Sequence, residues 1–166
     1  MVITYNGFVR KRNMIKNAYG SIDVNLMKRS DLIPNLVETV KAYAKHERQT
    51  FELVTSLRAK SQQPQAPNER LRTEEQMRPA ISRLMALSEN YPNLKADSQF
   101  INLQRNLTEV EEQISASRRA YNAASFEMNN SVQSFPSSII ANIFKFDENN
   151  YFEIEQDNRR NPEVKL

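Results

Sequence analysis

From Phe100 to Phe135 one apolar stripe recurs without a break. Phe100, Leu103, Leu107, Val110, Ile114, Ser117, Tyr121, Ala124, Met128, Val132 and Phe135 step by three or four residues throughout. Such spacing keeps every member on one face of an α-helix and is incompatible with a strand, whose faces alternate every second residue. At about 1.5 Å per residue the helix is roughly 55 Å long. A stripe of that length is buried only by partners of similar length, so the fold expected is all-α, an antiparallel four-helix bundle with a short C-terminal helix.

Composition excludes the main alternatives. The 166 residues suit one domain. Glycine occurs twice, at Gly7 and Gly20, and cysteine not at all. Sheet-rich folds draw on glycine for tight turns, and two glycines inside helical patterns do not supply them. Without cysteine there are no disulfides, thiolate nucleophiles or thiolate metal sites.

The remaining helices are expected at about 4–29, 32–60 and 73–90, with the long one at 98–134 and the short one at 137–144. In the first, Ile15, Tyr19, Ile22 and Leu26 form one stripe, and Val9, Asn13, Asn17, Gly20, Val24 and Met27 a second. Asp31 as a cap, with Pro34 in the first turn, predicts a break near 29–32. Leu36, Val40, Tyr43, Phe51, Val54 and Leu57 then carry the second helix. The proline-rich stretch 61–67 reads as a loop, and Thr73-Glu74-Glu75-Gln76 as a capping box opening the third helix, with Met77, Ile81, Leu84 and Ser88 inward. Pro136 stops the long helix. Ile139, Ile140, Ile143 and Phe144 are expected to close one end of the core, or else to dock a partner or a bilayer. The tail 153–166 is polar and expected to fray.

Catalytic constellations are thin. His46 is the sole histidine, expected at the polar edge of the second helix. A zinc-protease pair needs a second histidine at position 50, which is Thr50, and a carboxylate-bridged two-metal site needs two Glu-x-x-His motifs. Glu109, Glu111 and Glu112 read as a solvated ion-pair face beside Arg105. No cofactor, metal or small-molecule substrate is expected, and the protein is expected not to be an enzyme. Asn13, Asn122 and Asn129 are the unusual polar group. If the first and fourth helices are neighbours, their amides can form a register-setting network, because a buried amide left unpaired costs about 1–3 kcal/mol.

The net charge of +3 is unevenly placed. Residues 1–30 hold six basic side chains, Arg10, Lys11, Arg12, Lys16, Lys28 and Arg29, against Asp23 alone; the remaining 136 carry 17 basic and 19 acidic. That basic end suits a membrane surface, a nucleic acid or plain solvent. Nucleic-acid binding through the first helix is the alternative function, but spread-out charges on an otherwise slightly acidic chain disfavour it.

The block from Ile22 to Glu47, with Tyr5-Asn6-Gly7-Phe8-Val9, Glu89-Asn90-Tyr91-Pro92-Asn93-Leu94, Arg118-Arg119-Ala120-Tyr121-Asn122, Phe135-Pro136-Ser137 and Tyr151-Phe152-Glu153, closely resembles the signature of the LemA family of bacterial membrane-anchored helical proteins. Ala42 and Lys145 stand where the family pattern often has glycine. The resemblance implies a membrane-spanning helix just before Tyr5-Asn6. No segment here has the ~20 apolar residues such a span needs, so the expected anchor would precede Met1 and be missing from this chain. Arg10, Lys11, Arg12 and Lys16 would then lie next to the membrane, on its cytoplasmic side. The resemblance thus implies a single-pass protein of the cell membrane acting as a scaffold or interaction domain, with an unknown protein partner there, contact with anionic lipid, and no nucleic acid.

Overall fold

The computed structural model describes residues 1–63 and 67–152. Helix α1 runs Val2–Tyr43, α2 Arg48–Ser61, α3 Pro67–Ala86, α4 Pro92–Lys95, α5 Ser98–Gln133 and α6 Ser137–Phe144, with a 3₁₀ turn at Leu87–Glu89. The described residues contain no strand, and the protein is all-α. The middle of the expected loop, 64–66, and the expected tail, 153–166, lie outside the described residues. The chain forms two compact units, Ile22–Ser115 and Met1–Ser21 with Ala116–Leu166, and α1 and α5 contribute to both.

The expected break at 29–32 is absent. α1 continues to Tyr43, and the chain turns at 44–47 instead. The cause is visible in the apolar register. Ile15, Ile22, Leu26, Arg29, Ile33, Leu36 and Val40 are all buried. With Tyr19 they form a single three-four stripe that passes straight through 29–32. Arg29, being charged, hid the continuity. Of the two competing stripes, the one through Ile15 and Ile22 faces inward; Val24 and Met27 of the other are exposed. The turn moves His46 off a helix and into solvent.

In the Ile22–Ser115 unit, Phe51, Val54 and Leu57 of α2 meet Met77, Ala80, Ile81 and Leu84 of α3 in one core with Ile33, Leu36, Val40, Leu94, Phe100 and Leu107. Thr73 does not start α3. The helix begins six residues earlier, and the Thr73 hydroxyl donates back to the Glu69 carbonyl at 3.0 Å. Glu74, in the expected first turn, is buried and paired with Arg29. Asp97 is the true cap of α5, its Oδ1 accepting from the Gln99 and Phe100 amides at 2.8 and 3.0 Å.

In the other unit, Phe8, Ile15, Ala124, Met128, Ala141 and Phe146 form the core. The α5 stripe holds from Phe100 to Val132, but Phe135, past the helix end, is exposed. Helix α6 covers the core only in part. Ile140 and Ala141 pack inward, whereas Ile139, Ile143 and Phe144 are exposed. Lys145 ends α6 at φ 54°, and the Phe146 amide reaches back to the Ala141 carbonyl at 3.0 Å, as a left-handed helix cap requires.

Candidate functional site

After α6 the chain runs without helix from Phe146 to Phe152 and is held on α5 by two asparagines. Asn129 Nδ2 donates to the Asn149 carbonyl at 2.9 Å, and the Asn149 amide donates to Asn129 Oδ1 at 2.8 Å. Asn122 repeats this with Phe152, at 2.9 and 2.8 Å. Each side-chain amide thereby pairs with both backbone groups of one residue, as a neighbouring strand would. The spacing explains the fit. Seven helical residues cover about 10.5 Å, and three residues of non-helical chain at about 3.1–3.4 Å each cover nearly the same distance. Asn129 also donates to the Tyr151 hydroxyl at 3.1 Å.

The structure pairs these asparagines with the arm and not with the first helix. Asn122 and Asn129 do satisfy buried polar groups, but their partners are backbone atoms 20 to 30 residues onward. Asn13 is exposed and belongs to no such network. Between the two asparagines Ser125 is fully buried, and its hydroxyl has no hydrogen-bond partner.

Aromatic rings finish the attachment. Phe152 packs edge-on to Tyr121 at 4.9 Å and beside Tyr19 at 6.3 Å. Phe146 stacks on Phe8 at 4.8 Å, with the Arg12 guanidinium 5.6 Å above its ring. Tyr5 meets Phe144 at 4.8 Å, which sets the first turns of α1 beside α6. Of the four basic residues singled out in the sequence, Lys11 is half-buried and donates to Ser131, with Glu127 4.0 Å away. Arg12 is engaged by Phe146, and Arg10 and Lys16 are exposed.

The other unit holds a buried charge. Arg29 donates to Glu74 and, at 2.9 Å, to Glu111, so Glu111 is not part of a purely solvated face. Glu109 accepts from Gln113 at 3.2 Å. Tyr43 donates to Asp97 Oδ2 at 2.7 Å. That bond raises the tyrosine above its ordinary 10.0. Backbone donation from Phe100, then the Tyr43 bond, holds the Asp97 carboxyl below its ordinary 3.8. An open groove of about 640 Å³ beside this pair is lined by Asn35, Glu38, Thr39, Asn102 and Asn106. Among the described residues no three histidines or carboxylates come together as metal ligands, and no helix is long and apolar enough to cross a membrane.

Long helices, a non-helical arm pinned by side-chain amides and an interior stitched by a buried arginine define an all-helical protein built around packing. The chain belongs to the LemA family, whose sequence model matches residues 18–166. It is also similar to two curated proteins of Paramagnetospirillum magneticum (strain ATCC 700264 / AMB-1), magnetosome proteins MamQ 2 and MamQ 1. Each is 32% identical over 74 residues, 45% of this chain and 27% of the relative. The chain thus spans about a quarter of the length of these relatives.

Proposed function

We propose that the protein is a non-enzymatic scaffold or interaction domain, an antiparallel helical bundle tethered to a bacterial membrane on its cytoplasmic side. Charge placement carries this reading. The described residues of the unit containing the amino terminus hold seven basic and three acidic side chains, whereas Ile22–Ser115 holds 13 of each. Basic residues at the start of α1 stay on the cytoplasmic side of a span and favour anionic headgroups. Family membership supports the tether, and the curated relatives' assignment to the magnetosome is compatible with a role on a membrane. The partner would be another protein at that membrane.

The test uses the gene with its natural upstream sequence. The protein should fractionate with membranes, resist extraction by high salt, and stay protected from protease added outside intact cells. Crosslinking in those membranes then identifies the partner. Recovery in the soluble fraction would sink the tether. Nucleic-acid binding predicts retention on DNA or RNA that falls steeply with salt.

A further inference from the structure

We infer that α6 and the first turn of α1 form a lipid-contact surface that dips into the headgroup layer of an anionic bilayer. Ile139 and Ile143 lie four residues apart on one face of α6, 50% and 58% exposed, opposite the buried Ala141. Phe144, 45% exposed, touches Tyr5, which brings the exposed Met1–Ile3 turn alongside. The core beneath is already closed by Ile140, Ala141 and Phe146.

Charge selects the occupant. The exposed apolar side chains here, Ile139, Ile143 and Phe144 with Met1–Ile3, lie beside a cluster of basic residues, as a headgroup layer requires. Shallow insertion into a bilayer needs only a few apolar side chains with basic neighbours. Those neighbours are present. Lys145 directly follows Phe144, Arg12 lies over Phe146, and Arg10 is five residues, about 7.5 Å of helix, beyond Tyr5. Each is exposed. Among the described residues of this stretch Asp147 and Glu148 are the opposing charges; Glu148 accepts from Gln133 at 3.0 Å. Lys16 stands about 16 Å along α1 from Tyr5, beyond a Debye length at physiological salt, and contributes little.

This surface rests on the membrane reading above, but its test omits the tether. The 166-residue chain is floated with phosphatidylcholine vesicles containing 0 or 30% phosphatidylglycerol. Binding is expected only to the anionic vesicles. Ile139→Ser with Ile143→Ser should weaken it at least tenfold with an unchanged melting temperature. Arg10→Gln with Lys145→Asn should weaken it about fivefold or more per charge removed, and Lys16→Gln hardly at all. A folded chain that ignores anionic vesicles, or binds them equally without Ile139 and Ile143, overturns the inference. So does a concentration-dependent dimer abolished by the isoleucine pair of substitutions, which would assign the face to a second copy. Failure here with membrane recovery of the protein expressed with its natural upstream sequence removes this surface and leaves the tether standing.

Discussion

Arg58 Nε on α2 donates to the backbone carbonyl of Ser30 on α1 at 3.0 Å, and that carbonyl is the one Pro34 leaves without its helical partner. Proline has no amide hydrogen, so the oxygen four residues earlier loses its bond and helices commonly break there. A side chain from another helix supplies the missing donor. Arg58→Ala should therefore cost about 1–3 kcal/mol in thermal or urea unfolding. Pro34→Ala restores the amide, and in that background Arg58→Ala should cost less than about 0.5 kcal/mol. Additive effects of the two substitutions would show that the bond does not compensate for the proline.

The same residues show how far the sequence could be read. The α5 stripe, its length and its stop before Pro136 follow from spacing alone, because every contact there repeats with the helix period. The break in α1 was misplaced because Asp31 and Pro34 carry real local signals for a helix start, and the compensating donor is 28 residues away. Thr73 to Gln76 misled for the same reason: the box is a local signal, and it does not show that the helix already runs from Pro67. Asn122 and Asn129 were legible as out-of-place amides two turns apart. Their partners were not, since a non-helical arm has no periodicity, although the aromatic Tyr151 and Phe152 in a polar end hint that something there is held.

The asparagine pair should be worth more than its exposure suggests. Asn122→Leu or Asn129→Leu leaves one backbone amide and one carbonyl of the arm unpaired, with an expected loss of about 1–3 kcal/mol each. Limited proteolysis between Phe146 and Phe152 should accelerate in both variants. Asn13→Leu, on the exposed side of α1, should stay within about 0.5 kcal/mol of the parent. Equal behaviour of all three would remove the distinction between the arm-binding amides and the surface one.

Arg29 is 3% exposed and Glu74 5%. Breaking such a pair from one side strands a charge, so Arg29→Met should destabilise by roughly 3–5 kcal/mol. Replacing both, Arg29→Met with Glu74→Leu, should recover most of that loss, because Glu111 lies nearer solvent, its side chain 31% exposed, and can rehydrate. A double variant as unstable as the single one would mean that the pair is needed for the fold itself and not merely matched in charge.

Lys145 adopts φ 54° at the end of α6, a conformation that costs a residue with a side chain about 1 kcal/mol or more and glycine almost nothing. Its side chain is exposed, so nothing else in the folded unit depends on it. Lys145→Gly should raise stability by up to about 1 kcal/mol, reduced by glycine's greater freedom when unfolded. Lys145→Val, β-branched and intolerant of this region, should lower it. The same ordering in chemical unfolding at two salt concentrations would separate the backbone effect from charge.

The Tyr43–Asp97 bond should show in the pH dependence of stability from both ends. The Asp97 carboxyl titrates below its ordinary 3.8 when folded, so its contribution is present above that value and is lost as pH falls through the lower folded one. Tyr43 titrates above its ordinary 10.0, so its contribution is present below pH 10 and is lost as pH rises through the higher folded value. Melting temperatures of the parent and of Asp97→Ala should therefore differ by a constant amount between about pH 5 and 9, and begin to converge only as pH falls below 3.8 toward the lower folded value. Tyr43→Phe should remove the high-pH limb and keep most of the low-pH one, since Asp97 retains the Phe100 amide at 3.0 Å as its main donor. Ultraviolet titration at 295 nm tests the assignment directly: the parent should carry a late-titrating phenol that Tyr43→Phe and Asp97→Ala both abolish, and its persistence in Asp97→Ala would place the shift elsewhere.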